Sequence, residues 1–298
     1  MDRDSGTFAD GKRVGVVGGG TMGVGIVYVF AMAGFAVHLV EPDSLRAQAV
    51  MPTLNAAVEG AIQRGKMDAE LAQQRLGGVT IHEAVSDLPY ALDLVIETVP
   101  ERRELKLRVL GDIAARKPAL IATNTSAMSV DDLASAVTDA TRFLGMHFFN
   151  PVWSLMLVEV IRGTETDEGS LKTACDFVVA IGKSAAVVSD SPGFATSRLD
   201  LVQALEAIRM VEEGVATPAD IDRAITTAYR HPIGPLRLCD MVGLDVRLDI
   251  ARHLEQALGP HFAPPRLLEQ MVARGDLGVK SGRGFYDWPD AALTQKQG

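Results

Sequence analysis

The sequence predicts an α/β protein in which a doubly wound, mostly parallel sheet is followed by a smaller all-helical domain. Short β-branched runs alternate with helical stretches up to about residue 188, which is typical of a parallel sheet covered by helices. A glycine-rich turn follows the first of these runs, and only helical periodicity remains beyond Ser191-Pro192-Gly193. We therefore predict a flexible segment over 1–11, a first domain over 12–190 and a helical domain over 191–298.

The elements of the first domain can be predicted in order from this alternation. A β-branched run at Arg13–Val17 is followed by a helix that ends at Gly34, a residue suited to a left-handed C′ position. Pro52 should kink or divide the next helix. We expect strands at 13–17, 35–40, 92–99, 120–123, 143–149, 155–161 and 185–188, and helices at 21–33, 43–64, 68–76, 101–117 and 167–181.

The second domain should contain four helices. Thr217-Pro218-Ala219-Asp220 is a helix start signal, with an N-cap hydroxyl, a proline at N1 and an acid at N3. The predicted helices are 194–213, 217–229, 235–257 and 264–274.

Composition excludes several classes of function. The 29 Lys and Arg residues against 38 Asp and Glu give a net charge of −9, and without a basic patch such a protein repels nucleic acid. Cys175 and Cys239 form no metal-binding motif and no disulfide framework, so we expect a reduced, cytoplasmic protein without a metal. Residues 1–11 lack the apolar core of a signal peptide. The uncharged stretch Val14–Val40 contains too many glycines for a membrane span, and we expect no membrane contact.

The glycine-rich turn Gly18-Gly19-Gly20-Thr21-Met22-Gly23 predicts a Rossmann-type dinucleotide site, because it follows a strand and opens a helix. The glycines allow a tight turn, close approach of a pyrophosphate and close helix packing, and the helix N-terminus offers free N–H groups. Glu41 ends the second strand, where a carboxylate accepts from a ribose 2′-hydroxyl and repels a 2′-phosphate. We expect NAD rather than NADP. The predicted cofactor residues in this segment are Gly18, Gly20, Met22, Gly23 and Glu41.

His147 and Glu159 are candidates for acid–base chemistry. Each lies in an apolar run, and the two runs are joined by the turn-forming Asn150-Pro151, so the strands could return antiparallel with both side chains on one face. A carboxylate that orients an imidazole makes a general base, the group that alcohol oxidation by hydride transfer requires. A histidine in an apolar stretch is also commonly a core residue, although a buried glutamate needs a partner.

The ordered motifs of the chain resemble those of the NAD-dependent 3-hydroxyacyl-CoA dehydrogenases, including the bacterial 3-hydroxybutyryl-CoA enzymes. The resemblance spans about 12–288 and is carried by VGVVGGGTMG, DLVIETVPERRELK, NTSAMS, MHFFNPV, LVEVI, SPGFATSRL, HPIGPLRLCDMVGLD and LGVKSGRGFYDW. It implies oxidation of a (3S)-3-hydroxyacyl-CoA to the 3-ketoacyl-CoA with NAD, or the reverse, in fatty-acid β-oxidation. It also implies a homodimer formed through the C-terminal helical domain.

The resemblance implies roles for individual residues. His147 would be the base and Glu159 its orienting partner. Ser126 of NTS would contact the hydroxyl or thioester region of the substrate. On the cofactor side it implies Asn150 near the nicotinamide end, together with Glu101 and Lys106.

Two departures from the family pattern concern the substrate. Ser197 stands in PGFATSR where the family has an asparagine that helps hold the substrate, so we expect a serine hydroxyl in that role. The loop after Asn-Pro commonly reads VPLMK in the family, whereas this chain has Val152-Trp153-Ser154-Leu155-Met156, which places a large aromatic near the substrate entrance. An acyl-carrier-protein thioester or a free 3-hydroxy acid therefore remains an alternative substrate.

Two other classes of NAD-binding protein are disfavoured by the sequence. The 6-phosphogluconate-like dehydrogenases use a lysine early in the long second-domain helix, and 194–213 contains none. A non-enzymatic NAD-binding scaffold could lose the catalytic residues, whereas this chain has His147, Glu159 and Ser126 together.

Overall fold

The computed structural model describes residues 6–289. The chain divides into two compact units, Met1–Ser191 and Pro192–Gly298. Of the segment expected to be flexible, residues 1–5 lie outside the described residues. Within it, Gly6–Ala9 forms a short helix, and the ring of Phe8 packs edge-on against Phe177 at 5.2 Å between centroids.

The first unit is built on an eight-stranded sheet in the order β3-β2-β1-β4-β5-β6-β7-β8. Neighbouring strands are parallel except for β6 and β7, which are antiparallel. This arrangement confirms the predicted doubly wound, mostly parallel sheet. The strands are β1 (Arg13–Val17), β2 (Ala36–Val40), β3 (Val79–His82), β4 (Leu94–Glu97), β5 (Ile121–Thr123), β6 (Phe143–Phe148), β7 (Leu157–Arg162) and β8 (Ser184–Ser189).

Helices of the first unit pack on this sheet. Ten of the twelve residues of Thr21–Met32 are buried, which explains why this stretch carries no charge. Within residues 6–289, no helix is long and apolar enough to cross a membrane. The helices are α1 (Gly6–Ala9), α2 (Thr21–Met32), α3 (Ser44–Gln63), α4 (Ala69–Leu76), α5 (Arg103–Ala114), α6 (Val130–Ala134) and α7 (Glu168–Ala180).

The second unit is helical around its own core, as predicted. Leu201, Leu205, Leu236 and Leu254 are among the residues buried at its centre. Its helices are α8 (Thr196–Glu212), α9 (Pro218–Ala228), α10 (Pro235–Val242), α11 (Leu244–Leu258) and α12 (Arg266–Arg274).

The structure differs from the local predictions at several places. The helix predicted over 235–257 is two helices, because Gly243 adopts a φ of +104°, which no helix accommodates. Pro52 does not divide α3, which runs unbroken from Ser44 to Gln63. Strand β3 and the short helix α6 were not predicted; β3 is a half-buried edge strand of four residues and therefore has little apolar signal.

The strand order creates a switch point between β1 and β4. The connection from β1 leads to β2 on one side, and the chain then crosses back to β4 on the other. In such sheets ligands bind outside the carboxyl ends of the strands at this point. The ends of β1, β2, β4 and β5 therefore define the edge where a site should be found.

Candidate active site

A cleft lies at this switch point. Its walls come from the turn after β1, the ends of β2, β4 and β5, and the start of α3. The lining residues are Gly18, Gly20, Thr21, Met22, Glu41, Arg46, Thr98, Val99, Pro100, Glu101, Asn124 and Ser126. Six residues predicted for the site from the sequence thus meet in one cleft, namely Gly18, Gly20, Met22, Glu41, Glu101 and Ser126.

The glycines of the turn have different tasks. Gly18 adopts a φ of +113°, and a Cβ there would lie 2.9 Å from the Thr98 carbonyl oxygen. A Cβ on Gly23 would overlap the Gly18 carbonyl oxygen, so Gly23 allows α2 to start directly against the turn. A Cβ on Gly20 would meet nothing within 4 Å. Gly20 therefore leaves open space on the cleft side.

The N-terminus of α2 is suited to a pyrophosphate. Its N-cap is Gly20, which provides no side-chain cap, and its first turn carries no acidic residue. The first backbone N–H groups of a helix have no intrahelical acceptor, and the helix dipole favours an anion beside them. Together with the open space at Gly20, this end of the cleft fits the phosphates of a dinucleotide.

Glu41 lies directly after β2, with only 3% of its surface exposed. Its Oε2 accepts from the Gly19 N–H at 2.9 Å, and its Oε1 accepts from the Asp43 N–H at 2.9 Å and from the Arg46 guanidinium at 3.1 Å. Burial acts to raise the pKa of Glu41, but the hydrogen bonds from Arg46, Asp43 and Gly19 outweigh it and the pKa is lowered. Glu41 is therefore a fixed, ionised carboxylate on the wall of the cleft formed by the end of β2.

A buried ion pair supports the opposite wall. The Lys106 ammonium is fully buried and lies 2.9 Å from Glu97 Oε1, 3.0 Å from Glu97 Oε2 and 3.3 Å from Glu101 Oε2. Burial raises the pKa of Glu97, an effect that Lys106 and the Thr123 hydroxyl oppose. Lys106 does not line the cleft itself, and its ammonium contacts Glu101, which does.

The NTS segment after β5 is tied to the same wall. Glu101 Oε1 accepts from the Thr125 hydroxyl at 2.6 Å and from the Ser126 N–H at 2.8 Å. The Asn124 side chain accepts from the Phe148 N–H at 2.9 Å, which joins this segment to the end of β6. Ser126 is exposed on the cleft.

His147 and Glu159 form the pair that the sequence predicts. They occupy directly opposed positions of the antiparallel strands β6 and β7, and His147 Nδ1 lies 2.9 Å from Glu159 Oε2. His147 is 5% exposed and Glu159 is fully buried. Because a carboxylate only accepts, Nδ1 donates its proton to Glu159 and Nε2 is the acceptor nitrogen of the neutral ring. Asn150 lies exposed just beyond β6, outside the set of residues that line the cleft.

A buried lysine fixes the loop between these two strands. The Lys183 ammonium donates to the carbonyls of Val152 and Leu155, each at 2.5 Å. Lys183 is 7% exposed, and burial lowers its pKa. The same loop carries Trp153, whose ring packs edge-on against Tyr28 at 6.0 Å.

Ser197 belongs to the second unit. It lies in the first turn of α8 and is half-buried. In the part of the chain that the structure describes, no group of three or more His, Cys, Asp or Glu side chains could hold a metal ion.

Four residues of this region were not among the sequence predictions for the site: Arg46, Glu97, Asn124 and Lys183. The contacts of Lys183 with the loop at 152–155 and of Asn124 with Phe148 join segments far apart in the chain. Arg46 and Glu97 contact residues closer in sequence, Glu41 and Lys106. Sequence signals existed for Glu97, which is an acid inside a buried apolar strand, and for Asn124, which opens the NTS segment after β5.

Comparisons with known proteins agree with this architecture. Residues 13–191 match the family model described as 3-hydroxyacyl-CoA dehydrogenase, NAD binding domain, and residues 193–288 match its C-terminal domain. The 3-hydroxybutyryl-CoA dehydrogenase of Mycobacterium tuberculosis is 40% identical, over 93% of this chain and 98% of that protein. The enzyme of the same name from Bradyrhizobium diazoefficiens is 38% identical, over 94% of this chain and 96% of that protein.

Solved structures give the same result. The (S)-3-hydroxybutyryl-CoA dehydrogenase PaaH1 from Ralstonia eutropha superposes with a TM-score of 0.88 at 36% identity. The match covers 93% of this chain and 99% of PaaH1.

Proposed function

The chain belongs to the family of NAD-dependent 3-hydroxyacyl-CoA dehydrogenases, and we propose that it interconverts a (3S)-3-hydroxyacyl-CoA and the 3-ketoacyl-CoA through His147 and Glu159. The observation that carries this proposal is the 2.9 Å contact between His147 Nδ1 and Glu159 Oε2 on opposed strands. The chemistry that NAD would supply, when bound in this cleft, is transfer of a hydride to and from C3 of the acyl group.

His147 moves the accompanying proton. In the oxidation direction its Nε2 accepts the proton of the 3-hydroxyl as the C3–H bond breaks and the C3–O bond becomes a carbonyl. In the reduction direction the imidazolium returns this proton to the carbonyl oxygen. Glu159 keeps the ring in one tautomer and stabilises the imidazolium, as a buried carboxylate does for a general base. Ser126, exposed on the cleft, contacts the hydroxyl or thioester region, and Ser197 helps to hold the substrate.

The cofactor residues divide into direct and supporting groups. Gly18, Gly20 and Met22 bind the pyrophosphate region with the α2 N-terminus, which Gly23 brings close, and Glu41 binds the ribose. Glu101 contacts the cofactor from the opposite wall. Lys106 acts through Glu101, because its ammonium is buried behind that carboxylate. Asn150 is assigned to the nicotinamide end.

A basic groove supports a CoA thioester over a free acid or a carrier-protein thioester. The first unit has a groove lined in part by Arg64 and Lys66 together with the aromatic residues Tyr28 and Trp153. Arg64 and Lys66 are both exposed. Guanidinium and ammonium groups beside aromatic faces suit the phosphates and the adenine of CoA.

The substrate class can be tested by following NADH consumption with acetoacetyl-CoA, longer 3-ketoacyl-CoAs, acetoacetyl-pantetheine and free 3-keto acids. We expect CoA thioesters to have the highest kcat/KM. Replacing Arg64 and Lys66 by Ala should raise KM for acetoacetyl-CoA and leave KM for acetoacetyl-pantetheine unchanged, because only CoA carries the nucleotide. The control Lys172→Ala removes a 75% exposed lysine on α7 and should change neither constant. A higher kcat/KM with free 3-keto acids would overturn this assignment.

We propose that the protein is a homodimer formed through its second unit. That unit exposes several large apolar side chains, the residue type that the core of a homodimer interface buries. They are Leu199, Val202, Val215, Tyr229, Met241, Val242 and Val246. Light scattering coupled to gel filtration should give twice the chain mass of 31.8 kDa. A mass of one chain would contradict the dimer.

We further propose that the protein acts in the cytoplasm in fatty-acid β-oxidation. Both cysteines are free, as expected of a reducing compartment. Cells lacking the protein should accumulate 3-hydroxyacyl-CoA when grown on fatty acids, and unchanged levels would contradict this placement.

A further inference from the structure

Arg46 stands at the ribose end of the cofactor cleft beside Glu41. It lies in the first turn of α3, lines the cleft, and its side chain is 61% exposed. Its Nη2 lies 3.1 Å from Glu41 Oε1. The cleft therefore presents a carboxylate and a guanidinium at the same place.

These two groups favour different coenzymes. In Rossmann-type sites a carboxylate at the end of the second strand binds the ribose 2′-hydroxyl of NAD, whereas a nearby arginine accommodates the 2′-phosphate of NADP. Arg46 is mostly exposed and stays solvated when it leaves Glu41, and the buried Glu41 carboxylate keeps its hydrogen bonds from the Gly19 and Asp43 N–H groups. A phosphate that offers a bidentate contact can therefore draw the guanidinium away from Glu41 at small cost.

We propose that Arg46 is a specificity-determining residue that gives this enzyme NADP(H) as a second, weaker coenzyme. Glu41 is held by the Gly19 and Asp43 N–H groups in addition to Arg46, so it stays in place and continues to favour NAD when Arg46 turns to a 2′-phosphate. Without Arg46, a 2′-phosphate would meet only the buried negative charge of Glu41. This inference rests on the proposed function for the cleft and concerns the size of the discrimination between the two coenzymes.

Direct binding separates this role from catalysis. We suggest calorimetric titration of the unmodified protein and of Arg46→Leu with 5′-AMP and with adenosine 2′,5′-bisphosphate. Because Arg46→Leu loses a charge-assisted contact, the dissociation constant for the bisphosphate should rise by about tenfold or more. The dissociation constant for 5′-AMP should change by less than about twofold. In steady-state assays with acetoacetyl-CoA, the ratio of kcat/KM for NADH to that for NADPH should rise by a similar factor.

A matched control keeps the result specific. Arg142→Leu removes another exposed arginine that pairs with a carboxylate, Asp139, and that does not line the cleft. Arg142→Leu should change the affinity for neither ligand.

Glu41→Ala should strengthen binding of the bisphosphate while Arg46 is present. The double variant Glu41→Ala with Arg46→Leu should lose that gain.

Two results would overturn the proposal. Equal weakening of both ligands in Arg46→Leu would mean that the guanidinium stacks on adenine and does not discriminate. Unchanged binding of both ligands would mean that Arg46 serves only Glu41. Turnover of acetoacetyl-CoA with NADH by the unmodified protein tests the proposed function separately, so the two can fail independently.

Discussion

His147 Nδ1 and Glu159 Oε2 are 2.9 Å apart across two antiparallel strands, in an otherwise parallel sheet. The single reversal of direction places the two residues directly opposite each other, with Glu159 fully buried. Burying a carboxylate costs free energy unless the group is paired, and the contact with the imidazole offsets that cost for Glu159. In the proposed mechanism the same contact orients the ring for proton transfer.

Glu159→Gln tests the contribution of the carboxylate. The amide keeps the size of the side chain but loses the charge that stabilises the imidazolium. We expect kcat to fall by about 10²-fold, with the dissociation constant for NADH unchanged. Glu168→Gln is a suitable control, because Glu168 is a 75% exposed carboxylate that pairs with Arg162 at the end of β7. An unchanged kcat in Glu159→Gln would show that the carboxylate has only a structural role.

Lys183→Met tests how the loop between β6 and β7 is held. The variant removes the ammonium and leaves the carbonyl of the buried Val152 without this donor, whereas Leu155 is exposed and its carbonyl can turn to water. One unsatisfied buried group costs about 1–3 kcal/mol, so we expect the free energy of unfolding to drop by about 1–3 kcal/mol in urea titrations. The exposed Lys172→Met should remain within about 0.5 kcal/mol of the parent. Equal stability of the two variants would contradict the role of Lys183.

The His38–His82 pair predicts a loss of stability in acid. His38 Nδ1 lies 3.0 Å from His82 Nε2 on neighbouring strands. Burial lowers the pKa of His38 from its usual 6.5, and His82 and Arg13 lower it further. The unfolded chain therefore takes up this proton first as the pH falls. The contribution of neutral His38 to the free energy of unfolding is fully present above about pH 6.5. It is lost as the pH falls from there through the pKa of His38 in the folded protein.

His38→Gln should reduce the slope of melting temperature against pH between about pH 7 and about pH 5. His253→Gln removes an exposed histidine of the second unit and should leave that slope unchanged. If the parent and His38→Gln give parallel curves, the pair does not contribute to acid sensitivity.

Ser197 tests the departure from the family pattern. Ser197→Ala removes one hydrogen bond and leaves the group that it contacted without a partner. We therefore expect kcat/KM for acetoacetyl-CoA to fall by about one to two orders of magnitude, with KM for NADH unchanged. Ser197→Asn restores the family's amide and should retain activity. Kinetics of Ser197→Ala indistinguishable from those of the parent would remove Ser197 from the substrate site.

The first unit could be predicted closely where local sequence decides structure. Arg13–Val17, the glycine turn and the apolar helix α2 each carry a strong signal, because strand, turn and buried helix need distinct residues. The His147–Glu159 contact was also accessible, since an Asn-Pro turn between two short strands implies an antiparallel return. The break between α10 and α11 at Gly243 carried no such signal, because the φ of +104° at Gly243 depends on the surrounding fold.

Contacts that depend on how the elements fold together could not be predicted. Arg46 reaches Glu41 across the turn between β2 and α3, although only five residues separate them. The contact between His38 and His82 depends on strand β3, which was not predicted, and on its register with β2, in which Thr80 lies opposite His38 and His82 is the diagonal neighbour. Lys183 gives no sequence sign that its ammonium is buried against two carbonyls.

The most direct test of the account is turnover by His147→Gln. Replacing the proton-transferring imidazole should reduce kcat for acetoacetyl-CoA reduction by about 10²–10⁴-fold, while the dissociation constant for NADH stays within about twofold of the parent. That combination would assign proton transfer to His147 with the cofactor site intact. A variant that retains nearly the full rate would show that His147 and Glu159 are a buried core pair and would contradict the proposed mechanism.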